Sequence, residues 1–333
     1  MATTTETVAV TEPTQAGLWL RALRAPFLVA SVLPVLLGIL YSFIAVNRFS
    51  LSLAIATLVG AVFFHLATNM LNDNFDYRSG NDLAVKHQNP FAGGGRVLTT
   101  GRLSLGAHLG LGLGFFAAGT LLGLWLFVQM GGWDSYGGRL LLLIGMVGAG
   151  SSLFYVAPPL RLAHHGIGEV VVGLSFGPLV VMGSYIVQTG TFSWSALLLS
   201  LAPGLLVAGI LWINEFPDLE ADSSVGKRTL IVRMGLDRAL TVYVGLIVAA
   251  FVIPVLSVLL RLTFGGSWFT EGPPFTVLLP LATVPLALKT IEAARRNYQD
   301  PMALIPANAG TIGLTVLFSL LLILGVGLGY WLP

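Results

Sequence analysis

The sequence predicts an all-α fold: a polytopic membrane bundle of nine transmembrane helices with two cytoplasmic Asp-rich loops. Three observations predict it. The 333 residues are 55% hydrophobic and only 10% charged, whereas soluble domains carry roughly a quarter charged residues. Nine apolar stretches approach the ~20 residues that cross a hydrocarbon core. The basic residues gather in alternate connections, as the positive-inside rule requires of a multi-pass chain.

Residues 1–18 are Thr-rich and acidic, with no basic stretch ahead of an apolar one. No cleavable signal is therefore expected. Residues 1–23 read as a flexible cytoplasmic tail and 24–333 as a single transmembrane domain. The spans run over about 26–46, 51–71, 104–129, 139–157, 167–189, 194–213, 239–261, 273–289 and 310–332. The fifth is unconventional because it holds Glu169, Gly173, Gly177 and Pro178, and Pro280 and Pro285 shorten the eighth, which should kink or tilt. With the N-terminus cytoplasmic, 14 of the 17 Lys and Arg fall on that side, against Arg48, Arg139 and Arg261 on the other. Nine spans then leave the C-terminus outside.

Composition also excludes functions. There are no cysteines, so disulfides, thiolate metal sites and cysteine nucleophiles are ruled out. A net charge of +2 is too small to imply a nucleic-acid partner. The partner that this composition does imply is the lipid bilayer.

Two acidic clusters carry the chemistry: Asn72-Asp73-Asn74-Phe75-Asp76 through Asp82, and Asn214 through Asp218 to Asp222. Each follows a long apolar span, and a carboxylate beside a membrane core is costly enough to point to metal, substrate or proton chemistry. Asn72 and Asp76 are four apart, as are Asn214, Asp218 and Asp222, so each set would share a helix face. Oxygen ligands at that spacing suit a hard cation such as Mg2+, which keeps positions open for water or phosphate. Two such clusters can clamp a diphosphate between Mg2+ ions. Pro217 complicates the second, where a kink or a restarted helix is expected. The connections 72–103 and 214–238 also look like loose repeats of one plan.

Blander readings compete. A single Asp at a helix end is often a solvated charge, a reading that two matching clusters strain. Gly93-Gly94-Gly95-Arg96 lacks the Lys-Ser/Thr of a P-loop and a preceding strand, and reads as a flexible turn. Lys227, Arg228 and Arg233 serve as topology determinants, although their position after Asp222 also suits charge neutralisation of a diphosphate. His164 and His165 read as surface residues. Glu169 has a packing or capping role and a substrate-facing one in equal competition. Gly148, Gly150, Gly173 and Gly177 read first as packing glycines, second as space for a lipid chain.

Asn72-Asp73-x-x-Asp76, with Asn214-x-x-x-Asp218-x-x-x-Asp222 and Gly226-Lys227-Arg228-Thr229, resembles the UbiA family of intramembrane prenyltransferases. The resemblance extends from Arg24-Ala25-Pro26 and Pro34-Val35-Leu36-Leu37-Gly38 to the ninth span. The stretch Asn72 to Asp82, and Gly166-Ile167-Gly168-Glu169 through Gly177-Pro178 to Gln188-Thr189-Gly190, is similar to the menaquinone branch, the 1,4-dihydroxy-2-naphthoate polyprenyltransferases. Asn214-Glu215-Phe216-Pro217-Asp218 departs from the Asn-Asn-x-Arg-Asp pattern of that branch.

The resemblance implies Mg2+ held by Asn72, Asp76, Asp218 and Asp222, with Asp73, Asp82 and Asn214 as ligands or their supports. It implies a polyprenyl diphosphate donor, and Arg24, Arg161, Lys227 and Arg228 as cations for its departing charge, Arg161 lying in Tyr155-x-x-Pro158-x-x-Arg161. Tyr155 and Glu169 would face substrate. The allylic cation would be attacked by a ring carbon of an aromatic acceptor, and with the naphthoate the ring carboxylate leaves as CO2. A membrane terpene cyclase would use the same clusters without an acceptor. A cation-coupled transporter is the non-enzymatic alternative, although transport sites lie near the midplane rather than at one face.

Overall fold

A backbone in hydrocarbon has no water to bond, so each apolar stretch must satisfy its own amides as a helix. The computed structural model describes residues 14–85, 97–264 and 273–331, and every regular element among them is helical. Nine helices among the described residues are long and apolar enough to cross a membrane. They are α1 (Gln15–Val46), α2 (Leu51–Ser79), α3 (Leu105–Gln129), α4 (Tyr136–Phe154), α5 (Gly168–Thr189), α6 (Trp194–Asn214), α7 (Leu236–Phe264), α8 (Phe275–Asn297) and α9 (Ile305–Leu328).

α1 is composite. Residues 15–22, assigned from the sequence to the N-terminal tail, form a helix capped by Thr14, whose Oγ1 accepts the Gly17 amide at 3.2 Å. Leu18 and Ala22 are buried against Val97, Leu98 and Leu103. The helix breaks at Arg24, whose φ of 50° is left-handed, and resumes through Pro26. Residues 1–13, Lys86 and the Gly93-Gly94-Gly95-Arg96 turn lie outside the described residues.

α2 continues well past residue 71, so Asn72, Asp73 and Asp76 sit on its last turns and not in a loop. No helix breaker intervenes before Gly80, which ends the helix at φ +82°. At 29 residues α2 exceeds what the apolar layer needs, and its surplus turns carry the first cluster. Elsewhere prolines leave the expected marks. Pro178 coincides with a π-helical turn over Ser175–Leu179 in α5, and α8 begins as a 3-10 helix over Phe275–Thr283, which contains Pro280.

α6 is the hub, with 72% of its apolar window buried, whereas α4 has 11% and faces outward. It packs on α5, α7 and α9. Its crossing with α5 depends on paired glycines: a Cβ on Gly204 would lie 2.5 Å from the Gly173 carbonyl oxygen, and one on Gly177 would lie 2.5 Å from that of Ser200. Polar ties join the hub to α7, and α7 to α9. Trp212 Nε1 donates to the Ala239 carbonyl at 2.8 Å, and the Tyr243 and Thr311 hydroxyls lie 2.6 Å apart between α7 and α9.

A mainly apolar cavity of about 210 Å³ opens between α2, α3, α4 and α5. Gly123, Gly145 and Gly148 line it, and a Cβ on any of them would meet nothing within 4 Å. Gly148 and Gly150 are thus not the packing glycines first expected from the sequence, because no neighbour approaches them. Gly173 and Gly177 are.

Candidate active site

The two clusters meet at one end of the bundle. α2 delivers Asn72, Asp73 and Asp76, with Asp73 and Asp76 buried. The reversal at Gly80 then starts a short helix, Asn81–Ala84, that carries Asp82. On the other side α6 ends at Asn214, the chain turns through Glu215 to Pro217, and a helix restarts as Leu219–Ser224 with Asp218 at its N-cap. Pro217 imposes that restart. Asp218 is half-buried and Asp222 is 1% exposed.

Asp222 is the junction between the halves. Its Oδ1 accepts from Asn81 Nδ2 at 3.1 Å and pairs with Lys227 Nζ at 3.2 Å. The Lys227 amide also donates to the Asp222 carbonyl at 2.9 Å, a turn eased by Gly226 at φ +77°. Burial opposes the charge on Lys227, but Asp76, Asp222 and Glu215 outweigh it and raise its pKa above the ordinary value. Opposite, Arg24 forms an ion pair with Asp73. The α1 break thus places a guanidinium against the first cluster as the Gly226 turn places an ammonium against the second.

Buried oxygens with no hydrogen-bond partner among the described residues include Asn72 Oδ1, Asp76 Oδ1, Asn81 Oδ1 and Asp222 Oδ2. Buried acceptors are ordinarily satisfied, so these oxygens are available to a cation or to ordered water. Burial, reinforced by Asp76 and Asp73, also lifts the Asp82 carboxyl to about 7. No three His, Asp or Glu among the described residues converge on one point as a preformed metal cage.

The remaining predicted residues divide. Tyr155 is buried and lines the cavity. Glu169 is buried; its Oε1 accepts the Leu230 amide at 2.7 Å, while Oε2 has no partner among the described residues. It therefore caps the short helix Leu230–Met234 while its carboxyl also lies beside that of Glu215. The Asn214 amide oxygen receives Asn308 Nδ2 from α9 at 2.6 Å. Arg161 and Arg228 have exposed side chains. The backbone of Arg228 joins the 155–167 connection through its amide, which donates to the His164 carbonyl at 3.0 Å. Arg233 clasps the same two segments, donating to the carbonyls of Arg228 at 3.0 Å and His165 at 2.8 Å. His164 is half-buried rather than a surface residue, and burial followed by the nearby Lys227 and Arg161 lowers its pKa to about 4.

Sequence reasoning missed Asn81, Glu215 and Asn308. Glu215 is buried beside Glu169, and burial, then the Glu169 carboxylate, pushes its pKa well above the ordinary value. Its signal was available, because it occupies the position where the chain departs from the Asn-Asn-x-Arg-Asp pattern. An asparagine entering an apolar span, as Asn308 does, is a comparable signal.

A helical membrane bundle with two facing Asn/Asp clusters, flanking cations and a mainly apolar cavity has the parts of an intramembrane enzyme for an anionic lipid. The profile of the UbiA prenyltransferase family matches residues 31–311. The chain belongs to that family and is an integral, multi-pass membrane prenyltransferase. It is 28% identical to the 1,4-dihydroxy-2-naphthoate octaprenyltransferase of Bacillus subtilis, over 92% of this chain and 91% of that one. It is 27% identical to the 2-carboxy-1,4-naphthoquinone phytyltransferase of Synechocystis sp., over 95% of each. The fold is also that of a UbiA homolog from Archaeoglobus fulgidus bound to DMAPP and Mg2+, with a TM-score of 0.57, 17% identity and coverage of 92% and 98% of the two chains.

The site fits Mg2+. Unpartnered carboxylate or amide oxygens on Asn72, Asp76, Asn81 and Asp222 are the donor type of a hard cation, and one or two carboxylates per ion leave room for phosphate.

Proposed function

We propose that this chain transfers a polyprenyl group from polyprenyl diphosphate to 1,4-dihydroxy-2-naphthoate in a Mg2+-dependent reaction with loss of CO2, a step of menaquinone biosynthesis. The observation that carries the reading is the set of unpartnered oxygens from both clusters, with Lys227 paired to Asp222 and Arg24 to Asp73. The choice of acceptor is supported by the names of the two relatives, each similar over more than nine-tenths of both chains.

In this reading Asn72, Asp76, Asp82, Asp218 and Asp222 hold the metal. Bound Mg2+ supplies neutralisation of the diphosphate charge as the allylic carbon–oxygen bond breaks. Lys227 and Arg24 act on the same developing charge, with Arg228 and Arg161 at the exposed edge. Asp73 orients Arg24, and Asn308 fixes Asn214. The bond breaks with its electron pair going to diphosphate; a ring carbon of the acceptor attacks the allylic carbon, and the carboxylate departs as CO2. The cavity walls of α2 to α5 take the apolar chain and exclude water that would trap the cation. Tyr155 and Glu169 stand on the acceptor side. The charge asymmetry of the loops supports a cytoplasmic N-terminus, clusters on the cytoplasmic face and an outside C-terminus.

The test is mass spectrometry of products from purified protein in detergent with Mg2+, geranylgeranyl diphosphate and the naphthoate, with acceptor-free and EDTA controls. A prenylated, decarboxylated naphthol that requires both Mg2+ and acceptor is expected. A hydrocarbon or terpene alcohol formed without acceptor would instead indicate a cyclase.

A further inference from the structure

One polar pair in the cavity has no part in the mechanism above. His65 of α2 is buried, lines the cavity, and its Nδ1 lies 2.6 Å from Ser31 Oγ of α1. Phe176 from α5 packs against the ring in a T-shaped contact, centroid to centroid 4.9 Å. Serine fixes one ring nitrogen and phenylalanine the ring plane. Nε2 is left without a hydrogen-bond partner among the described residues, in a side chain that lines the cavity.

Helical register relates this histidine to the metal cluster. His65, Asn69, Asn72 and Asp76 follow one another at intervals of four, three and four residues along α2, and so form one stripe. His65 is about 10 Å deeper along the axis than Asn72. A diphosphate held at Asn72 and Asp76 would leave its allylic carbon, and the ring that attacks it, in the interval between cluster and histidine. The surrounding wall is mainly apolar, with Ala61, Phe64, Val172 and Leu179, and the hydroxyls of Thr57, Thr68 and Ser184 that also line it donate to carbonyls of their own helices, so a fixed imidazole there selects for a polar group on whatever lies against it.

We infer that His65 is an acceptor-binding residue whose Nε2 hydrogen-bonds a ring hydroxyl of the aromatic substrate, with Ser31 as the positioning residue that orients the imidazole. This rests on the proposed prenyl transfer to a dihydroxynaphthoate. Either tautomer serves: if Nδ1–H donates to Ser31, Nε2 accepts from the hydroxyl, and if Ser31 donates, Nε2–H donates to it. An ether oxygen satisfies only the second arrangement. The bond fixes the ring and adds no chemical step.

The test compares steady-state kinetics of wild type, His65→Leu, His65→Gln and Ser31→Ala in detergent with Mg2+, varying naphthoate at saturating donor and donor at saturating naphthoate. His65→Leu is expected to raise the KM for naphthoate on the order of tenfold, the loss of one buried hydrogen bond, with the donor KM within about twofold. His65→Gln, whose amide reaches the place of Nε2, restores most of that loss, and Ser31→Ala raises the acceptor KM by less. On wild type alone, one of the two mono-O-methyl ethers of the naphthoate should lose affinity by the amount that His65→Leu loses with the parent acceptor if Nε2 accepts, and retain it if Nε2–H donates, so the ethers report the tautomer. Unchanged acceptor KM in His65→Leu, or equal increases in both KM values, would overturn the inference by returning His65 to packing. Wild type that releases diphosphate from the donor yet prenylates no hydroxynaphthoate would overturn the acceptor reading, and the inference with it.

Discussion

In the proposed reaction the two acidic clusters perform one task from opposite local structures. The first is the end of an unbroken 29-residue helix, where four-residue spacing alone puts Asn72 and Asp76 on one face. The second is a broken segment: α6 stops at Asn214, Pro217 forbids its continuation, and Asp218 and Asp222 belong to a short restarted helix. The rigid cluster takes its cation, Arg24, from a remote break in α1, whereas the broken cluster takes Lys227 from its own following turn. A continuous helix can present ligands by spacing but cannot bring a cation to itself; a restarted one can do both, at the cost of needing a glycine and a proline in fixed places.

That contrast can be broken most sharply at the junction. Asp76→Ala and Asp222→Ala should each reduce Mg2+-dependent diphosphate release on the order of a thousandfold. Asp222→Ala should also destabilise the protein by about 3 kcal/mol, because it strands half-buried Lys227 and buried Asn81. Thermal unfolding in detergent checks this, and Asp76→Ala should show no comparable fall in Tm. An equal loss of Tm in both would remove the asymmetry between the clusters.

Pro217→Ala comes next. Releasing the α6 terminus lets the helix propagate toward Asp218 and rotates both ligands off the site, so activity should fall about tenfold to a hundredfold. The same exchange at no position in α2 has an equivalent, since α2 has no internal proline.

A pH effect follows from Asp82. Its carboxyl titrates at about 7 in the metal-free protein against an ordinary 3.8, so between those values the folded chain holds a proton that the unfolded chain releases. Stability of the metal-free protein should therefore fall as pH rises through that window, and Asp82→Asn should flatten the decline. Saturating Mg2+ should reverse the trend, because the ionised carboxylate is then the bound form. Tm measured between pH 5 and 8, with EDTA or with Mg2+, reads all three; these pH limits bracket about 7.

The smallest effect is expected at Glu169→Gln. The amide keeps the bond to the Leu230 backbone but weakens it, which should cost about 1 kcal/mol. Tm should drop slightly, with the donor KM unchanged.

The membrane bundle was legible because hydrocarbon leaves the backbone no alternative to helices, and the spans need only composition and length to be found. The first cluster was legible for the same reason, since Asn72 and Asp76 extend a helix already in place. The restart after Pro217 was legible from the proline's missing N–H. What could not be read were partners set by tertiary closure: Arg24 on Asp73, Asn81 on Asp222, Asn308 on Asn214 and the Glu169 cap on Leu230, which lie between 49 and 141 residues apart in the chain. Spacing rules reach one or two helical turns and no further. The open glycines of α4 were misread because a glycine's sequence does not say whether a neighbour approaches it or a cavity does.

The central claim is that the two clusters hold one diphosphate together. Its most direct test is calorimetric binding of a non-reactive thiolodiphosphate analogue of the donor, with Mg2+, to wild type, Asp76→Ala, Asp222→Ala and the double variant. If the clusters act as one unit, each single variant should lose nearly all of the affinity and the double variant little more, giving a large coupling between positions on separate helices. Losses that simply add would mean two independent sites and would contradict the account.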